Sequence, residues 1–317
     1  MNEYKAPRCQ ILPLAGHQVS FRIDGAECTR WHFGTEYPRP FFYPLTGPRG
    51  DSLTRVGHPG AGNHDHHRSV WFAHAKVLGI NFWSDLTEAR IEQHEWLVYD
   101  ESDTSATMAV RLHWKDGHEP RPLLEQVLVA VVRPLAAKPA AAAAVVPDWT
   151  LELHSSFTPT SKTLELQQSN FGFLAVRVAK NLSAFFGGGE LTNSDRQRGE
   201  PNIFGKAAKW MDYSGPVKGG GMEGVTYITH PQNVDYPSRW HVREDGWMGA
   251  STCRQGSIVL RRDDPLKMRF MLHVHGGDLD ADRADRLAEQ FATVPDYRVA
   301  KSTAKHRQYE IQRGEPQ

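Results

Sequence analysis

The chain has 317 residues, with 37 Lys plus Arg against 37 Asp plus Glu, so its formal charge is zero. No basic excess is present to attract a phosphate backbone, which argues against nucleic-acid binding. The cysteines, Cys9, Cys28 and Cys253, are scattered and form neither a disulfide framework nor a CxxC metal site, as in a reducing compartment.

The opening Met-Asn-Glu-Tyr-Lys-Ala-Pro-Arg lacks the apolar core of a signal peptide. Strands are expected at Gln18–Ile23 and Cys28–Phe33. Arg39-Pro-Phe-Phe-Tyr-Pro-Leu-Thr-Gly-Pro-Arg49 follows, dense in prolines and flat aromatic faces that suit either a core or the C–H face of a sugar.

The stretch from Gly57 to Trp83 holds His58, His64, His66, His67 and His74, five of the chain's 16 histidines. Charged imidazoles this close would repel, so most are expected neutral at pH 7. The first half is Gly-rich and reads as a loop, and Ser69–His74 reads as a strand. If extended geometry begins at His64, period-two alternation puts His64, His66, Arg68, Val70, Phe72 and His74 on one face and His67, Trp71 and Ala73 on the other. Any one of these rings alone suits a core or a loop. Together they point to a polar ligand site beside an apolar floor, since adjacent buried imidazoles each need a partner.

Further strands are expected at Arg90–Tyr99, Ser105–Trp114, Leu123–Arg133, Trp149–Phe157 and Thr163–Gln168, with the clearest alternation in Ser105–Trp114. Aliphatic runs such as Val127–Val132 are far short of the roughly 20 apolar residues that cross a bilayer. The chain is therefore expected to be cytoplasmic and to have no membrane partner. Residues 134–147 are Ala/Pro-rich and read as a loop insert, because Pro134, Pro139 and Pro147 stop a long helix.

In the second half, Gly188–Asp195 presents Glu190 after a flexible turn, where a carboxylate is usually just solvated. Ala208–Gly215 puts Lys209, Met211 and Tyr213 on one face of an extended segment. His230 is held extended before Pro231, near Asn233. His241 and Arg243 share a strand face opposite Trp240, a pairing that suits a hydroxyl-rich or anionic ligand. Strands are expected at Gly224–Thr229, Ser257–Arg261 and Lys267–His275, where His273 and His275 read as structural. Ala284, Leu287, Ala288 and Phe291 fall at helical spacing, which predicts a surface helix over Asp280–Phe291. Many short strands with one helix argue for an all-β fold: a large antiparallel β-sandwich, as a single domain over residues 1–317.

Several motifs together carry a family resemblance from about Pro38 to His275. They are Arg39-Pro-Phe-Phe-Tyr-Pro, His64-Asp-His-His-Arg with Trp71-Phe, Gly79-Ile-Asn-Phe-Trp, Lys209-Trp-Met-Asp-Tyr-Ser-Gly, His230-Pro with Asn233, and Trp240-His-Val-Arg. In these the chain resembles the bacterial family labelled methane oxygenase PmoA-like. A true methane monooxygenase subunit of that name is a membrane protein, and this chain shows no spanning segment. The resemblance implies a galactose-mutarotase-like supersandwich and a carbohydrate ligand. The Ala-rich insert departs from the family pattern.

The expected function is a carbohydrate-active enzyme, acting on a sugar or glycoside, 3-keto-glycosides included, by histidine acid/base chemistry as a lyase, hydrolase or epimerase. His66, His74, His230, His241 and Lys209 are the candidate catalytic groups. His67, Arg68, Asn81, Tyr213, Asn233, Arg243 and Glu190 are the candidate ligand-holding groups. These are expected on the inner sheet face. No cofactor is assigned. A metal enzyme using His64, His66 and His74 on a divalent ion stays open, as do a non-catalytic sugar-binding module and a homo-oligomer.

Overall fold

The computed structural model describes residues 5–58, 60–135 and 146–314. In chain order the strands are β1 (Cys9–Leu14), β2 (Gln18–Ile23), β3 (Ala26–His32), β4 (Phe41–Phe42), β5 (Val70–His74), β6 (Arg90–Glu101), β7 (Ala106–Lys115), β8 (Leu124–Pro134), β9 (Trp149–Pro159) and β10 (Thr163–Leu166). They continue as β11 (Gly172–Arg177), β12 (Glu190–Asn193), β13 (Trp210–Pro216), β14 (Met222–Thr229), β15 (Trp240–Arg243), β16 (Trp247–Ala250), β17 (Ile258–Arg261), β18 (Leu266–Gly276), β19 (Tyr297–Lys301) and β20 (Tyr309–Arg313).

Two eight-stranded antiparallel sheets carry the fold. The first runs β1-β2-β3-β4-β5-β11-β16-β15 and the second β12-β13-β14-β18-β9-β8-β7-β6. The expected all-β antiparallel sandwich is therefore the observed architecture. Alternation decides which side chains lie between the sheets. Ala106, Met108, Val110 and Leu112 of β7 point inward with Val70 and Phe72 of β5 and Met268, Phe270, Leu272 and Val274 of β18. The outward face of β18 carries His273 and His275, buried all the same. His275 Nε2 lies 3.0 Å from Asp212 Oδ2, an ion pair that raises the imidazole's pKa against the effect of burial.

The helix spans Ala281–Ala292, with Asp280 as N-cap accepting from the Arg283 N–H at 2.8 Å. It buries Ala284, Leu287 and Phe291 against Trp210, Ile228 and Met271 on the outer face of the second sheet. The β19–β20 hairpin covers Leu97, Val98, Val129 and Val131 on the same side. The Ala/Pro insert joins β8 to β9, whose register closes with Pro134 opposite Trp149. Its residues 136–145 lie outside the described residues.

The extended geometry expected from His64 does not form. Gly62–His64 is a single 3-10 turn, and β5 starts only at Val70. Ser69 takes a positive φ of 53°, held by Ser69 Oγ to Thr54 Oγ1 at 2.7 Å. The turn before it already breaks the period-two count, so His64 and His66 do not share the face of Val70 and Phe72.

Candidate functional site

The floor of the site is the outer face of the first sheet, where cross-strand register lines up two rows. Trp71 lies opposite Ala175, Ala175 opposite Gly249, and Gly249 opposite His241. In the next row Arg177 lies opposite Trp247, and Trp247 opposite Arg243. Directly opposed residues share a face, so these four strands present Trp71, Arg177, Trp247, His241 and Arg243 together. Gly249 leaves room for the indole above it, since a Cβ there would stand 3.1 Å from Trp247 Nε1.

The Gly57–Ser69 loop folds back over this floor, closed by the Gly57 N–H to the His67 carbonyl at 2.9 Å. His67 becomes the centre. Its ring stacks on Trp71 at 5.4 Å, lies 5.2 Å from Trp247 and 4.3 Å from His66, and stacks on His64 at 5.1 Å. Trp83 arrives from the loop after β5, positioned by Asn81 Oδ1, which accepts from the Trp83 and Ser84 N–H groups at 2.9 and 3.1 Å. Phe171 stacks on Trp247 at 5.8 Å and sits 5.1 Å from His241. All of these groups but Trp71, which lies beneath His67, line with Asp245 a cavity of about 540 Å³, within the range of small-molecule sites.

Burial sets the charge state of the cavity. It lowers His66 and His241 to about 4, with Arg39 adding to the effect on the first, and a hydrogen bond to the Asn170 carbonyl and the nearby Arg243 acting in opposite directions on the second. His67 is held far below its ordinary value by burial and then by His66, and His64 is lowered by burial and Arg177. The imidazoles are therefore neutral at pH 7, as expected from the sequence. Asp245 stays ionised. Burial works to raise it, but Arg177 grips both oxygens at 2.8 and 3.1 Å and holds it low. Asp85 behaves alike between Arg68 and Arg39, at 2.5 and 2.8 Å. Several buried polar atoms here have no partner among the described residues: His64 Nδ1, His67 Nδ1, His241 Nε2, Arg177 Nε and the indole N–H groups of Trp83 and Trp247. Buried groups of this kind need a partner, and those that face the cavity could find one in a ligand.

The structure brings His64, His66, His67, Asn81, His241 and Arg243 into this cavity. Arg68 stands beside it, bonded to Asp85 and lying over the Tyr37 ring at 5.3 Å. The expected inner-face location is corrected, since the group lies on the outer face of its sheet. His74 is not part of it. On β5 it points with Phe72 between the sheets, stacks on Phe173 at 5.2 Å and bonds through Nε2 to the Gln167 carbonyl at 2.9 Å. The trio of His64, His66 and His74 therefore does not assemble as metal ligands. His230 lies under the helix on the other sheet, 5.0 Å from Phe291, accepting from the Gln232 N–H. Lys209 is exposed beside β13, and Glu190 is exposed on β12 and paired with Arg198 at 3.2 Å. Tyr213 is core, its hydroxyl accepting from Ala184 N–H and donating to the Glu244 carbonyl. Asn233 bonds the Arg269 backbone in both directions.

Sequence reading missed Phe171, Arg177, Asp245 and Trp247. A usable signal was present for two of them. Arg177 is a lone cation ending the apolar run Gly-Phe-Leu-Ala-Val, and Trp247-x-Gly249 mirrors His241-x-Arg243 across a three-residue turn. His58, His64 and Asp245 do place one potential metal-ligand atom each within 4.8 Å of one another. A cation there would share Asp245 with Arg177 and sit near Arg55, whose Nη2 bonds the Asp245 carbonyl at 2.9 Å.

Comparison with curated proteins finds no match to the chain. Residues 18–289 match the family described as "Family of unknown function (DUF6807)". Every cavity residue named above lies inside that span, and the chain belongs to this family of unknown function.

Proposed function

We propose that the chain is an enzyme acting on a sugar or glycoside, 3-keto-glycosides included, with neutral histidines as acid/base groups. The observation that supports the reading is that His66, from the loop, and His241, from β15, line one aromatic-walled cavity of about 540 Å³. Trp83, Trp247 and Phe171 offer flat faces for the C–H side of a pyranose. A neutral imidazole can take a proton from a ring carbon or an activated water and return it to a leaving oxygen, the common need of elimination, hydrolysis and epimerisation. Arg177 and Arg243 would stabilise negative charge as it develops. A galactose-mutarotase-like supersandwich, as in PmoA-like proteins, accords with two packed eight-stranded sheets. The buried free cysteines suit a reducing compartment, and the cytoplasm is the proposed location.

The test is turnover across sugar and 3-keto-glycoside panels, with His66→Ala and His241→Ala alongside. Loss of at least a hundredfold in kcat/KM for either variant is expected. Folded protein that turns over nothing in the panels refutes the reading. Among the described residues, a metal-dependent reading rests on His58, His64 and Asp245. Metal analysis of purified protein tests it, and under a tenth of an equivalent of any transition metal removes it.

A further inference from the structure

The arginines around the cavity outnumber the carboxylates that answer them. Arg39 and Arg68 share the single Asp85. Arg55 and Arg177 share the single Asp245, one through its backbone carbonyl and one through its carboxylate. Only Arg243 has a carboxylate to itself, Glu200 at 2.7 Å. Asp65 on the exposed side of the loop is turned to the His58 backbone N–H. The neutral imidazoles add nothing to offset the excess. In a chain of zero formal charge, this concentrates positive potential in one hollow, where reduced solvent contact makes it strong.

The unmet hydrogen bonding points the same way. The N–H groups of Trp83, Trp247 and Arg177 Nε can only donate, and each is buried without a partner among the described residues. Arg177 is fully buried and lines the cavity. A neutral sugar hydroxyl brings a donor with every acceptor, whereas a carboxylate brings acceptors alone. Of the two sets, only that of Arg55, Arg177 and Asp245 reaches the cavity wall, and its excess of one positive charge matches a monoanion better than a phosphate dianion.

We infer that the cavity selects an acidic sugar, one whose carboxylate lies toward Arg177 and Arg243 while its ring stacks on the tryptophans. This rests on the sugar reading above and narrows its substrate class. A carboxylate next to a ring carbon also acidifies the proton on that carbon. The neutral imidazoles would then have a proton within their reach.

The experiment is binding of sodium glucuronate and galacturonate against glucose, galactose and glucose 6-phosphate, read by tryptophan fluorescence at low and moderate salt. Uronates are expected to bind at least tenfold tighter than the parent hexoses, with the advantage shrinking as salt rises. Arg243→Gln, at the half-exposed rim, is expected to cut that ratio at least threefold. Equal or tighter binding of hexoses overturns the inference, as does tighter binding of glucose 6-phosphate, or no binding at all. Turnover of hexoses without a uronate advantage sinks this inference alone. Tight uronate binding without turnover sinks the acid/base reading alone.

Discussion

His74 should make the protein acid-sensitive through one identifiable atom. Its ring is fully buried. Nε2 donates to the Gln167 carbonyl, so Nδ1 carries the lone pair. Nδ1 has no partner among the described residues and faces Gly172, where an added Cβ would stand 2.4 Å away. A proton on Nδ1 would therefore be buried with no acceptor, and burial lowers the pKa from 6.5 to about 4. The folded value lies below the unfolded one, so as pH falls the unfolded chain takes up the proton first. Stability is complete above pH 6.5 and is lost progressively toward pH 4. From that shift the loss at pH 5 is about 2 kcal/mol, rising to about 3 kcal/mol below pH 4. Urea unfolding of wild type and His74→Gln at pH 7.5 and pH 5 measures it. Gln retains an N–H for the Gln167 carbonyl and does not titrate, so its stability should fall by about 2 kcal/mol less than wild type between the two pH values. Equal losses would show that this ring is not held neutral by burial.

Gly172→Ala should destabilise by about 2–4 kcal/mol in thermal unfolding, because the methyl collides with the His74 ring and Gly172 holds φ at 145°. Asp85→Asn should cost about 3–5 kcal/mol, leaving Arg39, itself 1% exposed, and Arg68 without their shared counter-charge. An unfolding midpoint unchanged from wild type would contradict that pairing. Once a substrate is in hand, kcat/KM should stay level from pH 8 to about 5 and fall on the acid side near pH 4, as His66 and His241 protonate. An acid limb near 6.5 would mean the imidazoles are not desolvated.

The fold was legible in many strands with one polar face, though β1, β19 and β20 went unassigned. β2 falls at Gln18–Ile23 as expected, and the alternation of β7 predicts its inward set. β11 was missed because it is buried along its whole length and shows no alternation, and β16 because Gly249 interrupts a four-residue strand. The cavity was legible only in halves. The histidine loop and His241 could be picked out locally, but their meeting depends on pairing β5 with β11 and β11 with β16, across more than 70 residues. His230 was misplaced for the same reason, since nothing near Pro231 tells which sheet it joins. His67 lies with Trp71 and His74 with Phe72 as alternation expects, but the turn at Gly62–His64 carries His64 and His66 over the outer face, away from His74.

The match to the family stops at residue 289, two positions short of Phe291 and before the β19–β20 hairpin. A recombinant fragment trimmed to that boundary would lose the last turn of the helix and strip the cover from Leu97, Val98 and Val131. Its flank would then be an adhesive oily strip, and self-association would mask whatever ligand chemistry the opposite sheet performs. Anyone screening substrates is better served by carrying the chain through Arg313.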